Sequence, residues 1–273
     1  MKLSEMKQIL AERDLRLTKS LGQNFLHDGN QLRRMVAAAD LTGRDKVLEI
    51  GPGLGPLTEL LLPKAGAVLA IEKDRRLVEV IQQRLCGARN LILHLDDALK
   101  FLRRDSRDWS DWKLVSNLPY SVASPILVEL TQARACPARM VVTLQLEVAQ
   151  RLLAQPGDPD YGLLTLLVQL HFQPRGRFRV PASCFFPAPE VDSTCVALHR
   201  RPKPLLEDHQ AVTFTRIVKK AFSQRRKMMF KLLKGDWPEA RLAEAFNRLK
   251  LPPASRAEEA SLEQFVELTK LLE

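Results

Sequence analysis

Residues 46–62 read KVLEIGPGLGPLTELLL, an apolar run followed by a glycine-rich turn and a second apolar segment. The glycines are Gly51, Gly53 and Gly55, and the apolar residues after them recur at helical spacing. This order predicts a buried strand, a tight turn and a helix, and glycines in such a turn let backbone amides approach a ligand closely. An ordinary strand-to-helix turn has the same composition, so the stretch indicates a fold class without identifying a ligand.

The alternation of short apolar runs and helical stretches continues from about Asn30 to Glu147, and it predicts a doubly wound, Rossmann-like α/β domain with a parallel sheet. Unbroken apolar character in the runs indicates strands buried on both faces. Further strand-like pieces after a turn-rich segment would complete the sheet. The predicted strands are 46–50, 67–71, 91–95, 113–117 and 139–145, with later ones around 166–172 and 194–199, and the predicted helices are 56–62, 74–85 and 123–133.

Beyond Pro204 the sequence changes to charged amphipathic segments, which predict a small helical domain at the C-terminus. We therefore divide the chain into residues 1–204 and residues 205–273. The predicted C-terminal helices are 209–222, 226–234, 238–249 and 261–271.

The charge balance favours a polyanionic partner, because 42 Lys and Arg oppose 32 Asp and Glu, a formal net charge of +10. Nucleic acid and a membrane surface both fit that charge. No apolar stretch approaches the roughly 18 residues that a membrane span needs, and the first residues do not resemble a signal peptide, so we expect a cytoplasmic protein. Four cysteines without a CxxC pair predict neither disulfides nor a metal site. The excess of basic residues is concentrated in one region: Arg200, Arg201, Lys203, Arg216, Lys219, Lys220, Arg225, Arg226, Lys227, Lys231 and Lys234.

Two acidic residues follow the next predicted strands. Glu72 ends the second strand about twenty residues after the glycines, where an acid in such folds binds ribose hydroxyls. Asp97 lies just beyond the third strand, placed to accept a hydrogen bond from an adenine amino group, although an Asp there is also a common helix N-cap. The spacing Gly-x-Gly-x-Gly departs from the dinucleotide fingerprint Gly-x-Gly-x-x-Gly, which weakens an NAD site. Together these residues predict a slot shaped for adenosine.

The fourth strand runs into Asn117-Leu118-Pro119-Tyr120, directly before a helix. Here the sequence resembles the N6-adenine methyltransferases, and in particular the bacterial family that dimethylates two adjacent adenosines in the 3′-terminal hairpin of 16S ribosomal RNA. The resemblance extends over most of the chain through further motifs in the same order: LGQNFLHD (21–28), EIGPGLGPLT (49–58), LQLEVAQRLLAQPGDPDYG (144–162), FFPAPEVDS (185–193) and AFSQRRKMM (221–229).

The resemblance implies that residues 1–204 bind S-adenosylmethionine and carry catalysis, and that residues 205–273 bind RNA. Gly51, Gly53, Glu72, Asp97 and Asn117 would contact the cofactor. The family pattern also implies that three residues of the LGQNFL segment close over its methionine end, namely Gln23, Asn24 and Leu26.

The same resemblance implies how a poor nucleophile reacts. The amino nitrogen of adenine is conjugated with the ring, so the Asn117 oxygen and the carbonyl of Leu118 or Pro119 would accept its two hydrogens. Tyr120 would stack on one face of a base flipped out of its helix, and Phe186 would cover the other. For Phe185 packing in the core is the alternative. No metal is implied.

Two departures from the family pattern leave the named groups intact: Ser116 stands where the family often has Gly, and Ser121 where it commonly has Asn.

The leading hypothesis is therefore dimethylation of small-subunit ribosomal RNA during subunit assembly by a monomeric enzyme. A large-subunit adenine methyltransferase of the macrolide-resistance type is the nearest alternative. A non-catalytic RNA-binding assembly or transcription factor with the same fold is a further one.

Overall fold

The computed structural model describes residues 1–15, 23–133 and 135–273. The first two residues of the LGQNFLHD motif, Leu21 and Gly22, lie outside these ranges. The strands are β1 (Phe25–Leu26), β2 (Lys46–Ile50), β3 (Ala67–Glu72), β4 (Leu91–Leu95), β5 (Trp112–Asn117), β6 (Arg139–Gln145), β7 (Phe172–Val180), β8 (Phe185–Phe186) and β9 (Ser193–Arg200). The α-helices are α1 (Leu3–Glu12), α2 (Gly29–Ala39), α3 (Pro56–Leu61), α4 (Arg75–Arg84), α5 (Ala98–Arg104), α6 (Ala123–Gln132), α7 (Leu146–Leu153), α8 (Leu163–Gln169), α9 (Asp208–Ala221), α10 (Met229–Leu233), α11 (Glu239–Arg248) and α12 (Leu262–Leu272).

A seven-stranded sheet has the order β4-β3-β2-β5-β6-β9-β7, and its pairs from β4 to β6 are parallel. The predicted α/β class is confirmed. From β2 the chain proceeds to β3 on one side and later to β5 on the other. Such a reversal opens a crevice outside the carboxyl ends of the central strands, which is where ligands bind in open α/β sheets.

The structure differs from the sequence prediction at β4 and in the region before β7. β4 is an edge strand, so Ile92 is 52% and Leu95 is 42% exposed, and burial on both faces holds only for the inner strands. The strand expected around 166–172 is instead helix α8, and the strand begins at Phe172. A short apolar run such as LLTLLVQL fits a buried strand and a buried helix equally well by pattern.

The chain forms two compact units, Met1–Ala149 with Gln173–Arg200, and Gln150–Phe172 with Arg201–Glu273. In the first, α2 and α3 pack against the sheet around a core that includes Met35, Leu61 and Val115. The sequence division at residue 204 lies near the second boundary, whereas 150–172 group with the C-terminal helices.

In the second unit, α9 is central and packs against α8, α10 and α12. The helix expected at 226–234 is shorter, because residues 223–228 form turns and α10 begins at Met229. None of the helices in the described ranges combines the length and apolar character needed to cross a bilayer.

Candidate active site

The glycine turn after β2 has left-handed backbone, with φ of +67° at Gly51 and +63° at Gly53. A Cβ added at Gly53 would lie 2.7 Å from the Phe25 ring, and one at Gly51 would lie 2.9 Å from Pro119 Cγ. Both the conformation and the space therefore require glycine at these two positions. The turn thereby packs against both the Asn-Leu-Pro-Tyr loop and residues 23–26, which include β1 and are called the β1 segment below.

Glu49, one residue before the end of β2, is buried. Burial, with a smaller contribution from the nearby Glu72 carboxyl, raises the pKa of the Glu49 carboxyl to about 8. The buried Oε2 atom has no hydrogen-bond partner among the residues that the structure describes. A neutral carboxyl beneath the glycine turn is the form consistent with this environment at neutral pH.

Replacing Glu49 with glutamine should change how stability depends on pH. The folded state keeps the proton up to about pH 8, whereas the unfolded chain loses it above about pH 4.5. Folding of the wild type is therefore increasingly disfavoured across that window. Relative to wild type, the free energy of unfolding of Glu49→Gln should rise by up to about 4 kcal/mol from pH 5 to pH 8, at about 1.4 kcal/mol per pH unit. Urea unfolding at a series of pH values measures this, and a pH-independent difference contradicts it.

Glu72, at the end of β3, holds the glycine turn in place. Its Oε2 atom accepts a hydrogen bond from Gly53 N (3.1 Å), and Oε1 accepts from the amides of Lys73 (2.8 Å) and Asp74 (2.9 Å). Burial raises the pKa of this carboxyl. Since a carboxylate has about four acceptor positions, three are used by the backbone and one remains, on Oε2.

Asp97 is the N-cap of α5 and also lines the cleft. Oδ1 accepts from the amides of Leu99 (3.1 Å) and Lys100 (3.2 Å), and Oδ2 pairs with Lys73 Nζ at 2.9 Å. The bond from Lys73 lowers the pKa of this carboxyl. Asp97 therefore caps the helix and also lines the cleft. Its Oδ2 atom lies beside Lys73, which the sequence pattern did not single out.

Asn117 ends β5 in the middle of the cleft edge. Its Nδ2 donates to Asn24 O at 3.0 Å, which joins residues 23–26 to the Asn-Leu-Pro-Tyr loop. Its Oδ1 is buried, and no residue within the described ranges donates a hydrogen bond to it. Buried acceptors are nearly always satisfied in proteins. The Asn117 Oδ1 atom can therefore accept a hydrogen bond from a ligand bound in the cleft.

The rest of the loop is rigid. Leu118 is buried, and Pro119, with φ of −58°, precedes a 3-10 turn at Tyr120–Val122. Pro119 O already accepts from Val122 N at 3.1 Å. The carbonyl of Leu118 is therefore the better second acceptor beside Asn117. Ser116 fits where the family often has glycine, because its hydroxyl donates to Ile50 O at 2.6 Å.

The two aromatic residues of β8 have different surroundings. Phe185 is buried with its ring centroid 6.5 Å from that of Tyr120, in an edge-on arrangement. Phe186 does not belong to the lining of the cleft, and its ring lies under Lys7 Nζ at 5.2 Å. Successive side chains of an extended segment point to opposite sides, so only one of the pair can face Tyr120. The structure places Phe185 beside Tyr120, and the contact of Phe186 with a flipped base stays a prediction.

The β1 segment contributes in three ways. Gln23 and Asn24 line the cleft, and Gln23 Nε2 donates to Asp74 Oδ2 at 3.1 Å. Leu26 is 2% exposed and packs in the core of the first unit, so its side chain supports the segment. Phe25, which also lines the cleft, was not singled out from the sequence.

The cleft brings together most of the expected residues. It takes in about 960 Å³ of space when its open mouth is included. Within the described ranges there is no cluster of three His, Cys, Asp or Glu that would bind a metal ion. The expected residues lining it are Gln23, Asn24, Gly51, Gly53, Glu72, Asp97, Asn117, Leu118, Pro119 and Tyr120.

Solved structures similar to this chain include two methyl-transferring enzymes. A dimethyladenosine transferase from Plasmodium falciparum has a TM-score of 0.76 and 26% identity, covering 89% of this chain and 95% of that one. The 23S rRNA methyltransferase ErmE has a TM-score of 0.70 and 27% identity, covering 91% and 99%.

Proteins related in sequence over nearly the whole chain are ribosomal RNA methyltransferases by name. The small subunit methyltransferase A of Moorella thermoacetica is 37% identical, over 97% of this chain and 96% of the relative. The protein of the same name from Pelotomaculum thermopropionicum is 40% identical, over 96% and 94%. The family model for ribosomal RNA adenine dimethylases matches residues 15–273. Since this match takes in the entire cleft and the C-terminal helices, the chain belongs to the ribosomal RNA adenine dimethylase family.

Proposed function

We propose that this protein uses S-adenosylmethionine to dimethylate the N6 nitrogens of two adjacent adenosines in the 3′-terminal hairpin of 16S ribosomal RNA during small-subunit assembly. The single observation that carries the proposal is the buried Oδ1 of Asn117, which lacks a donor among the described residues. An exocyclic amino group supplies such a donor. Acting on subunit precursors, the enzyme would work in the cytoplasm, and we propose that it does so as a monomer.

Several features of the cleft support S-adenosylmethionine as the cofactor. Gly51 and Gly53 bring backbone close to a ligand without side-chain hindrance, and Oε2 of Glu72 has one acceptor position left for a ribose hydroxyl. Asp97, which follows the next strand and lines the cleft, would accept a hydrogen bond from the adenine amino group. Gln23 and Asn24 would enclose the methionine end. When bound, S-adenosylmethionine supplies an activated methyl group on a sulfonium.

The chain's own residues then act mainly by positioning. Asn117 Oδ1 and the Leu118 carbonyl accept the two amino hydrogens and draw the nitrogen lone pair out of conjugation with the ring. The rigid Pro119 keeps these acceptors in place. Tyr120 offers an aromatic surface to the flipped base, and stacking of this kind is worth about 1–3 kcal/mol per base.

The second unit provides a basic surface for RNA. Exposed basic side chains lie on α9 and in the following turns, and few acids oppose them: Arg216 and Lys220 face Asp236, and Lys234 pairs with Glu239. Phosphate contacts fix register and orientation rather than sequence. We propose that the side chains in the turns bind rRNA backbone, namely Arg225, Arg226 and Lys227.

Lys73→Met should tighten S-adenosylmethionine binding about two- to fivefold. Lys73 and the adenine amino group compete for Asp97 Oδ2, and a largely exposed ion pair is worth up to about 1 kcal/mol. Calorimetry at low and high salt measures the effect, which should shrink as salt screens the wild-type pair. Lys100→Met, on the exposed face of α5, removes an equal charge and serves as the control. Unchanged or weaker binding by Lys73→Met contradicts the proposed competition.

Labelled S-adenosylmethionine and undermethylated small subunits test the function directly. Mass spectrometry of the 3′-terminal fragment should find dimethyladenosine at two adjacent positions. Absence of label, under conditions in which a known dimethyltransferase is active, excludes the proposal.

Similarity to ErmE supports one alternative, a large-subunit substrate. Presenting 23S rRNA in place of the small subunit decides between the two. A non-catalytic RNA-binding factor is the other alternative, and it predicts RNA binding without heat on titration with S-adenosylmethionine.

A further inference from the structure

The hydroxyl of Tyr120 lies 2.6 Å from Ser193 Oγ, and the two residues are 73 positions apart in sequence. Ser193 is fully buried and is the first residue of β9. Tyr120 ends the Asn-Leu-Pro-Tyr motif and Ser193 ends the FFPAPEVDS motif, and the sequence alone gives no sign that the two side chains are in contact. A tyrosine of the active site is therefore attached at its far end to the sheet.

The serine is itself held firmly. Ser193 pairs with Gln145 at the end of β6, and the neighbouring Asp192 accepts from Leu146 N at 3.1 Å through its backbone carbonyl. The Asp192 side chain accepts from Ala182 N at 2.9 Å. Backbone on both sides of Ser193 is thus fixed by hydrogen bonds, and its hydroxyl is a stationary partner.

The ring of Tyr120 has two restraints. Its hydroxyl is engaged by Ser193, and Phe185 packs edge-on against it at 6.5 Å. Tyr120 nevertheless lines the cleft. Because the hydroxyl is occupied, the part of this side chain available to a ligand is the aromatic ring. Burial also raises the pKa of the phenol, so the group stays neutral.

We propose that Ser193 is a positioning residue that orients the Tyr120 ring for stacking on the flipped adenine, and that the Tyr120 hydroxyl serves this bond rather than the chemistry. The inference rests on the proposed function. A terminal sp³–sp² torsion such as χ2 of tyrosine is broad. A bond at the ring's end narrows it before RNA arrives, so less freedom is lost on binding.

A double-mutant cycle tests the inference with Ser193→Ala, Tyr120→Phe and the double variant. Each single variant should lower kcat/KM for small subunits about three- to tenfold, chiefly through KM. The double variant should be no worse than either single one, because both remove the same bond. Binding of S-adenosylmethionine should be unchanged. Matched controls are Ser255→Ala and Tyr161→Phe in the second unit, which should retain wild-type kinetics.

A second readout follows stacking itself. When 2-aminopurine stands at the target position of the RNA, stacking on the Tyr120 ring should quench its fluorescence. The quenching should be stronger in the complex with the wild type than in the complex with Tyr120→Phe. This variant leaves the sheet untouched, so it remains informative if Ser193→Ala folds poorly.

Additive losses in the cycle, or full activity and quenching in Tyr120→Phe, overturn the role of Ser193. If the wild type transfers no methyl group to small subunits, the proposed function fails first and this inference falls with it. If the wild type is active and the losses in kcat/KM of the two single variants add up in the double variant, only this inference fails.

Discussion

Asn117→Ala is expected to lower the rate of methyl transfer about 100-fold or more, with RNA binding nearly unchanged. Removing a single positioned hydrogen-bond group from an active site typically costs a factor of 10² to 10³ in turnover. Here the lost group is the buried Oδ1 that has no donor within the described part of the chain. Single-turnover transfer from labelled S-adenosylmethionine to small subunits measures the rate.

Two further variants separate the roles of the side chain. Asn117→Asp keeps an acceptor oxygen but replaces the amide that donates to Asn24 O. It should retain more activity than Asn117→Ala, since the acceptor is the group proposed to act on the substrate. Asn247→Ala, on the exposed face of α11, should have no effect. Near-wild-type turnover of Asn117→Ala excludes the acceptor role.

Gly51→Ala should be the next most damaging substitution, with an expected loss of about 100-fold in turnover and weaker cofactor binding. The residue has φ of +67°, a conformation that costs an L side chain about 1–2 kcal/mol. Its new Cβ would also lie 2.9 Å from Pro119 Cγ. The Asn-Leu-Pro-Tyr loop must then shift, and displacement of about 1 Å in a catalytic geometry can cost 10²-fold.

The matched control for this variant is Gly43→Ala. An added Cβ at Gly43 meets nothing within 4 Å, and its φ lies outside the left-handed region. It should retain stability and activity. Calorimetric binding of S-adenosylmethionine together with turnover distinguishes the outcomes: a stable Gly51→Ala protein with normal kinetics contradicts the proposed coupling between the glycine turn and the loop.

Much of the cleft was predictable because its residues follow strands of one parallel sheet. Apolar runs identified β2, β3, β4, β5 and β6 to within one residue at each end. Carboxyl ends of adjacent parallel strands meet at one edge, so residues that follow different strands converge there. Gly51, Glu72, Asp97 and Asn117 all line one cleft for this reason.

Local patterns failed where two structures fit the same residues. The apolar stretch in α8 has the length and composition of a buried strand, and only its packing beside α9 distinguishes a helix. For Phe185 and Phe186 the motif places aromatic residues at two successive positions. Which of them faces Tyr120 depends on the pairing of β1 with β8, in which Leu26 lies opposite Phe185.

The amino-acid sequence by itself determined the α/β class, the strands from β2 to β6, the family resemblance and most of the residues at the cleft. Those features depend on local periodicity and on motifs of adjacent residues. Only the tertiary structure decided that Phe185 lies beside Tyr120, that Lys73 pairs with Asp97 and that Ser193 holds the tyrosine hydroxyl. The physical reason is that such contacts join side chains from separate elements, and their distances depend on strand register and packing, which no local pattern contains.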